Sequence, residues 1–248
     1  MHAIILAAGV ANRLSAILKD RPKSMLEFEG RTLLQRHLAI LRWAGVKNIT
    51  IVTGHMADAI KEHTKDFPGV TVSFAHNERY REGSIISAVT GLKAVNDDVI
   101  LMDADVLYDP EIMQKLVAAK GMTFLLDPKS KETGEEMMLG TRKGRVIEIA
   151  RKVGADWDEV GETVGFFLFP RDVAAKLLAF LQAKVASGVT TIGYEDALNF
   201  FIKEHEARYI NVREFLWTEI DYPEDIEKAR TKILPTVREK EAKLCVKP

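Results

Sequence analysis

Apolar and polar positions along the first half of the chain follow two different periods. Short apolar runs rich in β-branched residues predict buried strands at residues 3–6, 48–53, 70–75 and 99–102. Between them, apolar residues recur at helical spacing over residues 32–44, 57–66 and 84–95. Fully apolar strands that alternate with helices predict a parallel sheet with helices on both faces. Ligands bind beyond the carboxyl ends of such strands, so the loops after residues 6 and 102 are the first candidates for a site.

The second half of the chain predicts a different arrangement. Its strand-like segments are residues 121–126, 137–141, 145–149, 164–169, 207–212 and 216–220. Helical segments run from Asp172 to about residue 187, over 195–205, and from 224 onward. The predicted fold class is therefore α/β, a Rossmann-like mixed, mostly parallel sheet with helices on both faces and a small antiparallel lid insertion. We expect one domain over residues 1–234, with the lid at about 127–165 and a charged helical tail at 235–248.

Composition narrows the function classes. The 248 residues carry 35 Lys plus Arg and 36 Asp plus Glu, so no broad basic surface for nucleic acid is expected. The N-terminal apolar run is too short to span a bilayer and lacks the basic start of a secretory signal. Cys245, the one cysteine, suits a reducing compartment. The expected protein is cytoplasmic, with no nucleic-acid or membrane partner, and a homodimer is left open.

The loop after the first strand carries the first candidate chemistry. Three small residues, Ala7, Ala8 and Gly9, directly follow the buried Leu6, so a ligand can approach the backbone and its amides can hold phosphate oxygens. Beyond them come Arg13 and, ten residues later, Lys23 of a Pro-Lys pair, both suited to a polyphosphate. The structural alternatives are a tight strand–helix connection and a surface lysine. The sequence matches neither a P-loop nor a three-glycine dinucleotide fingerprint.

Leu-Ala-Ala-Gly-x-x-x-Arg-Leu followed by this Pro-Lys resembles the signature of the sugar-phosphate nucleotidylyltransferase superfamily, the MobA-like NTP transferases. The resemblance covers roughly residues 1–230 and departs at Ala11, where the family usually has glycine. It implies an enzyme in which Lys23 and Arg13 are catalytic. It also implies that the loop Leu6–Gly9, together with Gly83 and Ser84 at the start of a helix, binds the nucleotide. For Ser84, a plain helix N-cap is the equal alternative.

Acidic residues at two strand ends predict a metal site. Asp103 and Asp105 follow the apolar run at 99–102, and Glu219 and Asp221 form a Glu-Ile-Asp element on a late strand. Hard cations such as Mg²⁺ prefer carboxylate oxygens, although aspartate also commonly ends strands. By resemblance, Asp105 and Asp221 are the metal ligands. The two elements together resemble the branch of the family that transfers CMP to phosphocholine and related small phosphorylated alcohols or phosphonates.

The acceptor is predicted from rings and nearby acids. A quaternary ammonium favours an aromatic box, with each cation–π contact worth about 0.5–2 kcal/mol. The candidates for binding the acceptor are Trp157, Tyr194, Glu195, Trp217 and Glu219. Trp217 and Phe166 could equally belong to the core, and a primary ammonium would need carboxylates more than rings. Two alternatives stay open: transfer from UTP or dTTP to a hexose 1-phosphate, and a catalytically silent nucleotide-binding regulator.

Overall fold

The computed structural model describes residues 1–10, 12–18, 21–130 and 133–244. Ala11 and Cys245 therefore lie outside the described residues. The strands are β1 His2–Ala7, β2 Glu27–Phe28, β3 Arg31–Thr32, β4 Asn48–Thr53, β5 Thr71–His76, β6 Val99–Asp103, β7 Val106–Tyr108, β8 Thr123–Asp127, β9 Met138–Arg142, β10 Arg145–Ala150, β11 Glu159–Phe169, β12 Ala207–Asn211 and β13 Trp217–Glu219. The helices are α1 Ser15–Leu18, α2 Leu33–Trp43, α3 Ala57–Thr64, α4 Ser84–Lys93, α5 Pro110–Val117, α6 Arg171–Ala186, α7 Tyr194–Phe201, α8 Pro223–Lys228 and α9 Leu234–Leu244.

Within the described residues, a nine-stranded sheet runs in the order β5-β4-β1-β6-β11-β8-β12-β10-β9. Strands β5, β4, β1 and β6 are parallel, so their carboxyl ends meet at one edge. Strand β11 then enters antiparallel to β6, and the β9–β10 hairpin is antiparallel throughout. The predicted α/β class with a mixed sheet is thus confirmed.

Two apolar clusters fill the two faces of this sheet. One contains inward residues of α2 and α5, such as Leu38 and Met113. The other contains those of α4, α6 and α7, such as Ile85, Leu177 and Leu198. Helices on both faces explain why the central strands are mostly apolar on both sides.

The segment expected to form a lid belongs to the large sheet. Strand β9 pairs with both β10 and β11, and β10 also pairs with β12. The antiparallel hairpin is therefore present where it was predicted, continuous with the main sheet. Its role as a lid stays a prediction.

The C-terminal helices pack against the segment that follows the small-residue loop. A third apolar cluster joins Leu14, Leu18 and Leu26 to residues of α8 and α9, including Ile226 and Val237. Arg36 of α2 and Glu241 of α9, both buried, form an ion pair on the same side. Helix α9 thus packs against the segment that contains Leu14, Leu18 and Leu26. The domain boundary at residue 234 stays a prediction.

Sequence patterns missed several short elements. Helix α5 begins at Pro110 after Asp109, whose side chain accepts a hydrogen bond from the amide of Glu111 at 3.0 Å. This cap and the proline at the first helical position are ordinary signals for a helix start. Strand β7 was also missed, because it is only three residues long and the helix cap follows it directly. No helix in the described part of the chain is long and apolar enough to cross a membrane.

Candidate active site

The candidate site begins where β6 and β13 end. Strand β13 pairs antiparallel with β7, and the amide of Ile220 donates to the carbonyl of Asp105 at 3.1 Å. This pairing brings Glu219 and Asp221 to the turn that carries Asp105, although the two elements are more than a hundred residues apart. One oxygen from each of the three carboxylates lies within 4.8 Å of the others. They form an acidic cluster at the carboxyl edge of the sheet.

Lys23 supplies the counter-charge of this cluster. Its Nζ lies 2.7 Å from Oδ2 of Asp105 and also forms an ion pair with Asp221. Burial opposes the charged form of Lys23, but Asp105 and Asp221 outweigh it and raise the pKa of the lysine above its ordinary value. The structure thus brings together the three residues that the sequence singled out for charge: Lys23, Asp105 and Asp221.

Three convergent carboxylates are a donor set that suits a hard divalent cation, because Mg²⁺ binds through oxygen ligands. Glu219 keeps part of its surface open, yet loss of solvent around its carboxylate, together with Asp105 and Asp221, raises its pKa. The unfavourable crowding of like charges is what a bound cation would relieve. Glu219, predicted as an acceptor ligand, therefore lies with the candidate metal ligands.

Asp103 differs from Asp105, although both follow the same apolar run; if the strand continued, their side chains would leave the same face. Strand β6 ends at Asp103, so the alternation that would align the two stops there. The hydroxyl of Tyr194 donates to Oδ2 of Asp103 at 2.8 Å. Gly165, with φ of +77°, leaves room for it, since a Cβ there would lie 2.4 Å from the same oxygen. Burial, then Glu195 and Asp105, raise the pKa of Asp103.

The small-residue loop borders a separate cavity of about 130 Å³ beside the lysine. Its lining includes Leu6, Ala7, Gly9, Lys23 and Asp105. Apart from Gly9 and its two chain neighbours, no atom of the described residues lies within 4 Å of where a Cβ of Gly9 would be, so the backbone there is open to a ligand. Ala8 is buried instead, and its carbonyl accepts from the amide of His55 at 3.1 Å. The loop and Lys23 thus share one opening, as a nucleotide phosphate would require.

Arg13 lies on the other side of the acidic cluster, with an exposed side chain. Its Nη1 is 3.2 Å from Oε2 of Glu135, and its guanidinium lies 4.7 Å over the ring of Tyr222. The hydroxyl of Tyr222 donates to the same carboxylate of Glu135. Arg13 therefore links the segment after the small-residue loop to Glu135, which lies in the segment predicted to be a lid.

Gly83 and Ser84 are engaged in packing. The amide of Gly83 donates to the carbonyl of Thr190 at 2.7 Å, and a Cβ on Gly83 would lie 2.1 Å from the carbonyl oxygen of Ile192. The N-cap of α4 is Gly83, so the interpretation of Ser84 as the cap is wrong. The Ser84 hydroxyl instead accepts from the amide of Tyr194 at 3.0 Å. These contacts join α4 to α7, and nucleotide binding by the pair stays a prediction.

The rings predicted to bind the acceptor do not form a box. Trp157 packs against Gly140, its Nε1 donates to Glu148 at 3.0 Å, and Arg142 lies 4.7 Å over its ring. Tyr194 is only 3% exposed and meets Phe167 edge to face. Trp217 is 7% exposed and donates from Nε1 to Asp127 at 2.9 Å. Each ring is held separately by its own partners, so the predicted aromatic cage is absent from the described residues.

Carboxylates take the place of the rings. A cavity of about 120 Å³ is lined by Asp103, Glu162, Glu195, Glu219 and Asp221, with Arg13 and Arg151 at its border. Burial, then Glu219, raises the pKa of Glu195 to about 8, and burial raises that of Glu162 to about 7. Glu162 was missed as a candidate because it lies on β11, where its position in the alternation looks like that of any strand residue.

An open small-residue loop, a buried lysine and convergent carboxylates at one sheet edge are suited to transferring a phosphoryl-linked group, because they neutralise its charge. The model of the MobA-like NTP transferase domain matches residues 3–193. The chain therefore belongs to the MobA-like NTP transferase family and is a nucleotidylyltransferase, as the sequence motifs predicted.

Individual relatives agree with the predicted branch. The chain is 26% identical to CTP:phosphoglutamine cytidylyltransferase of Campylobacter jejuni, over 92% of its own length and 98% of the relative. It is 33% identical to choline-phosphate cytidylyltransferase of Haemophilus influenzae, over 60% of its length and 62% of the relative. It has the fold of the inositol-1-phosphate CTP transferase from T. maritima, with a TM-score of 0.79 at 20% identity, covering 99% of this chain and 96% of that chain.

Proposed function

We propose that the chain is a magnesium-dependent cytidylyltransferase that moves CMP from CTP onto a small phosphorylated alcohol or phosphonate and releases pyrophosphate. The observation that carries this proposal is the position of Lys23 between Asp105 and Asp221, next to the open loop at Gly9. CTP is supported by the relatives, which are themselves cytidylyltransferases.

In the proposed reaction, an acceptor phosphate or phosphonate oxygen attacks the α-phosphorus of CTP. A new phosphorus–oxygen bond forms while the bond to the bridging oxygen of the leaving pyrophosphate breaks. The attacking oxygen is already anionic at neutral pH, so the chain needs no general base. Its task is to position two anions and to neutralise their charge.

Lys23 and Arg13 share that task. Lys23, buried and permanently charged, would leave its carboxylate partners to contact the α-phosphoryl oxygens, where charge develops in the transition state. Arg13, exposed and planar, would contact the departing β- and γ-phosphates. Mg²⁺ held by Asp105 and Asp221, with Glu219 beside them, would neutralise phosphoryl charge when bound.

The acceptor head is proposed to be a primary ammonium or a hydroxyl-bearing group. The small cavity beside the metal ligands is walled by carboxylates, including Glu162 and Glu195, and a primary ammonium can donate hydrogen bonds to them. A quaternary ammonium has no such protons and would need the rings. Trp157 and Tyr194 do not line this cavity, and Trp217, 7% exposed, borders only the larger cavity beside it.

The test is pyrophosphate release from each of the four common NTPs, crossed with phosphoethanolamine, aminoethylphosphonate, phosphocholine and glucose 1-phosphate, with and without Mg²⁺. We expect turnover with CTP and the two primary amines, little with phosphocholine, and none after removal of Mg²⁺ by EDTA. Robust turnover of glucose 1-phosphate with UTP, and none of the amines with CTP, would contradict the proposed base and acceptor. If no combination of NTP and acceptor releases pyrophosphate, the proposed activity toward these substrates is contradicted.

A further inference from the structure

A second and larger cavity opens beside the acidic one. It has a volume of about 430 Å³ and shares Glu162, Glu219 and Asp221 with its smaller neighbour, so the two cavities adjoin each other next to the candidate metal ligands. At its other borders lie three lysines, Lys129, Lys228 and Lys232. An acceptor whose phosphoryl group reaches the reaction centre would extend into this space.

Most acids of the larger cavity already have partners within the chain. Asp127 accepts from Nε1 of Trp217 and from the amide of Lys129, each at 2.9 Å. Asp225 accepts from the amides of Asp221 and Tyr222, at 3.0 and 2.8 Å. These carboxylates are occupied in fixing the backbone and are not free to neutralise the cavity lysines.

The lysines have no such partners. Among the described residues, none of the three ammonium groups forms an ion pair or hydrogen bond. By contrast, Lys23 at the reaction centre contacts two carboxylates, and Lys240 on α9 contacts two more. Cations that border a cavity without chain partners are suited to an anionic group on a ligand.

Lys228 also lies near a carboxylate that has an unusual environment. Burial raises the pKa of Glu162 to about 7, and the charge of Lys228 acts against that shift. The two groups therefore influence each other across the cavity without forming an ion pair. A gap between one ammonium and one carboxylate is complementary to a head that carries both charges, such as that of an amino acid.

Two of the three lysines, Lys228 and Lys232, lie beyond the residues that the family model matches, whereas Lys129 lies within them. The family match ends at residue 193, whereas Lys228 ends α8 and Lys232 lies on a π-helical turn, Ala229–Ile233, that continues into α9. Positions four residues apart lie on one helix face. Single π-helical turns are uncommon and occur frequently at functional sites.

We propose that the acceptor carries a carboxylate in addition to its phosphoryl group, and that Lys228 and Lys232 of the C-terminal helices bind it while Glu162 binds its ammonium. The substrate class is then a phosphorylated amino acid or a close analogue. This inference rests on the proposed cytidylyl transfer, since it places the phosphoryl group of the acceptor at Lys23, Asp105 and Asp221.

Binding to the unreactive ternary complex tests this proposal directly. O-phosphoserine and phosphoethanolamine differ only by a carboxylate, so calorimetric titration of each into enzyme with Mg²⁺ and α,β-methylene-CTP isolates that group. We expect phosphoserine to bind roughly three- to thirtyfold more tightly, the range for one charge-assisted contact in a partly exposed cavity. In the Lys228→Met/Lys232→Met variant the ratio should fall to about one, while phosphoethanolamine keeps its affinity.

The matched control is Lys176→Met, which removes an exposed lysine of α6 outside the cavity and should keep the wild-type ratio. Thermal unfolding of all variants establishes that they fold alike. Equal or weaker binding of phosphoserine by the wild type, or binding of neither compound, would overturn the inference. If either result is found but phosphoethanolamine is still turned over with CTP, only the carboxylate-binding inference fails and the proposed function stands. If phosphoethanolamine is not turned over either, the inference and the proposed function both fail.

Discussion

At the reaction centre the chain supplies its own counter-charge, whereas at the acceptor end it leaves charges unmatched. Lys23 lies between Asp105 and Asp221, so two of the three clustered carboxylates have a cationic partner within the chain before any ligand arrives. Glu162 and Lys228 border open space without pairing to each other. A centre whose charged groups already pair within the chain suits a step that is common to all substrates, while unpaired charges on the cavity walls suit recognition of one particular partner. The two regions should therefore respond differently to mutation.

The largest effect is expected at the carboxylates of the centre. Asp105→Asn and Asp221→Asn each remove an anionic oxygen from the candidate metal site without changing the shape of the side chain. We expect kcat to fall about a thousandfold or more, since metal charge stabilisation is worth several kcal/mol. Steady-state kinetics at saturating Mg²⁺ measures this, with the exposed Asp66→Asn as the matched control. Near wild-type turnover in either variant would remove that residue from the metal site.

A smaller loss is expected for Lys23. Lys23→Met keeps much of the length of the side chain and removes its charge, which is needed most as the α-phosphoryl group transfers. We expect kcat to fall about a hundredfold while the KM for CTP changes little. Lys176→Met serves as the control. If instead KM rises and kcat is unchanged, Lys23 binds CTP equally in the ground and transition states and is not a catalytic residue.

At the acceptor end, a substitution should raise stability while it weakens acceptor binding. Burial raises the pKa of Glu162 to about 7 from an ordinary 4.5, so the folded chain holds this proton more tightly than the unfolded chain. Its contribution to stability is therefore lost as pH rises from about 4.5 to 7. Glu162→Gln should be more stable than wild type by about 1–2 kcal/mol at pH 8, allowing for partial exposure, and nearly equal at pH 5.

Denaturant unfolding at the two pH values measures this difference, with the exposed Glu239→Gln as control. The same Glu162→Gln variant should bind primary-amine acceptors more weakly. If Glu162→Gln is less stable than wild type at pH 8, the charged carboxylate of Glu162 does not destabilise the folded chain, which contradicts this account.

The smallest effect on function is expected at Trp157. Trp157→Leu removes the ring beneath Arg142 and the hydrogen bond to Glu148, so stability should fall by about 1 kcal/mol. Because the ring lies outside both cavities, the KM of the acceptor should be unchanged. A rise in that KM of several-fold, with the KM for CTP constant, would return Trp157 to the acceptor site.

This contrast also marks how far the sequence alone could go. Lys23, Asp105 and Asp221 were predicted from motifs that resemble those of the nucleotidylyltransferase superfamily, and Asp105 also from its place just beyond the carboxyl end of a parallel strand. The directions of the rings could not be predicted, because ring chemistry does not determine direction: Tyr194 turns inward to Asp103, and Trp157 pairs with Glu148.

Other features depend on contacts that no local pattern contains. Glu162 is one alternating position of a long strand, and only the closure of β9 and β11 around it creates its burial. The ion pair of Arg36 with Glu241 joins residues 205 apart and fixes α9 against the domain. The sequence predicted the α9 segment as helical but offered no signal for where it packs.

The position of a bound metal tests the central claim most directly. Crystals grown with CTP and Mn²⁺ in place of Mg²⁺ would reveal the ion by anomalous scattering. We expect a peak about 2.1 Å from carboxylate oxygens of Asp105 and Asp221, with Lys23 displaced from them toward the α-phosphate and the loop at Gly9 against the nucleotide. A metal ion bound away from both aspartates, or CTP bound with Lys23 still paired to them, would contradict the assignment of this cluster as the reaction centre.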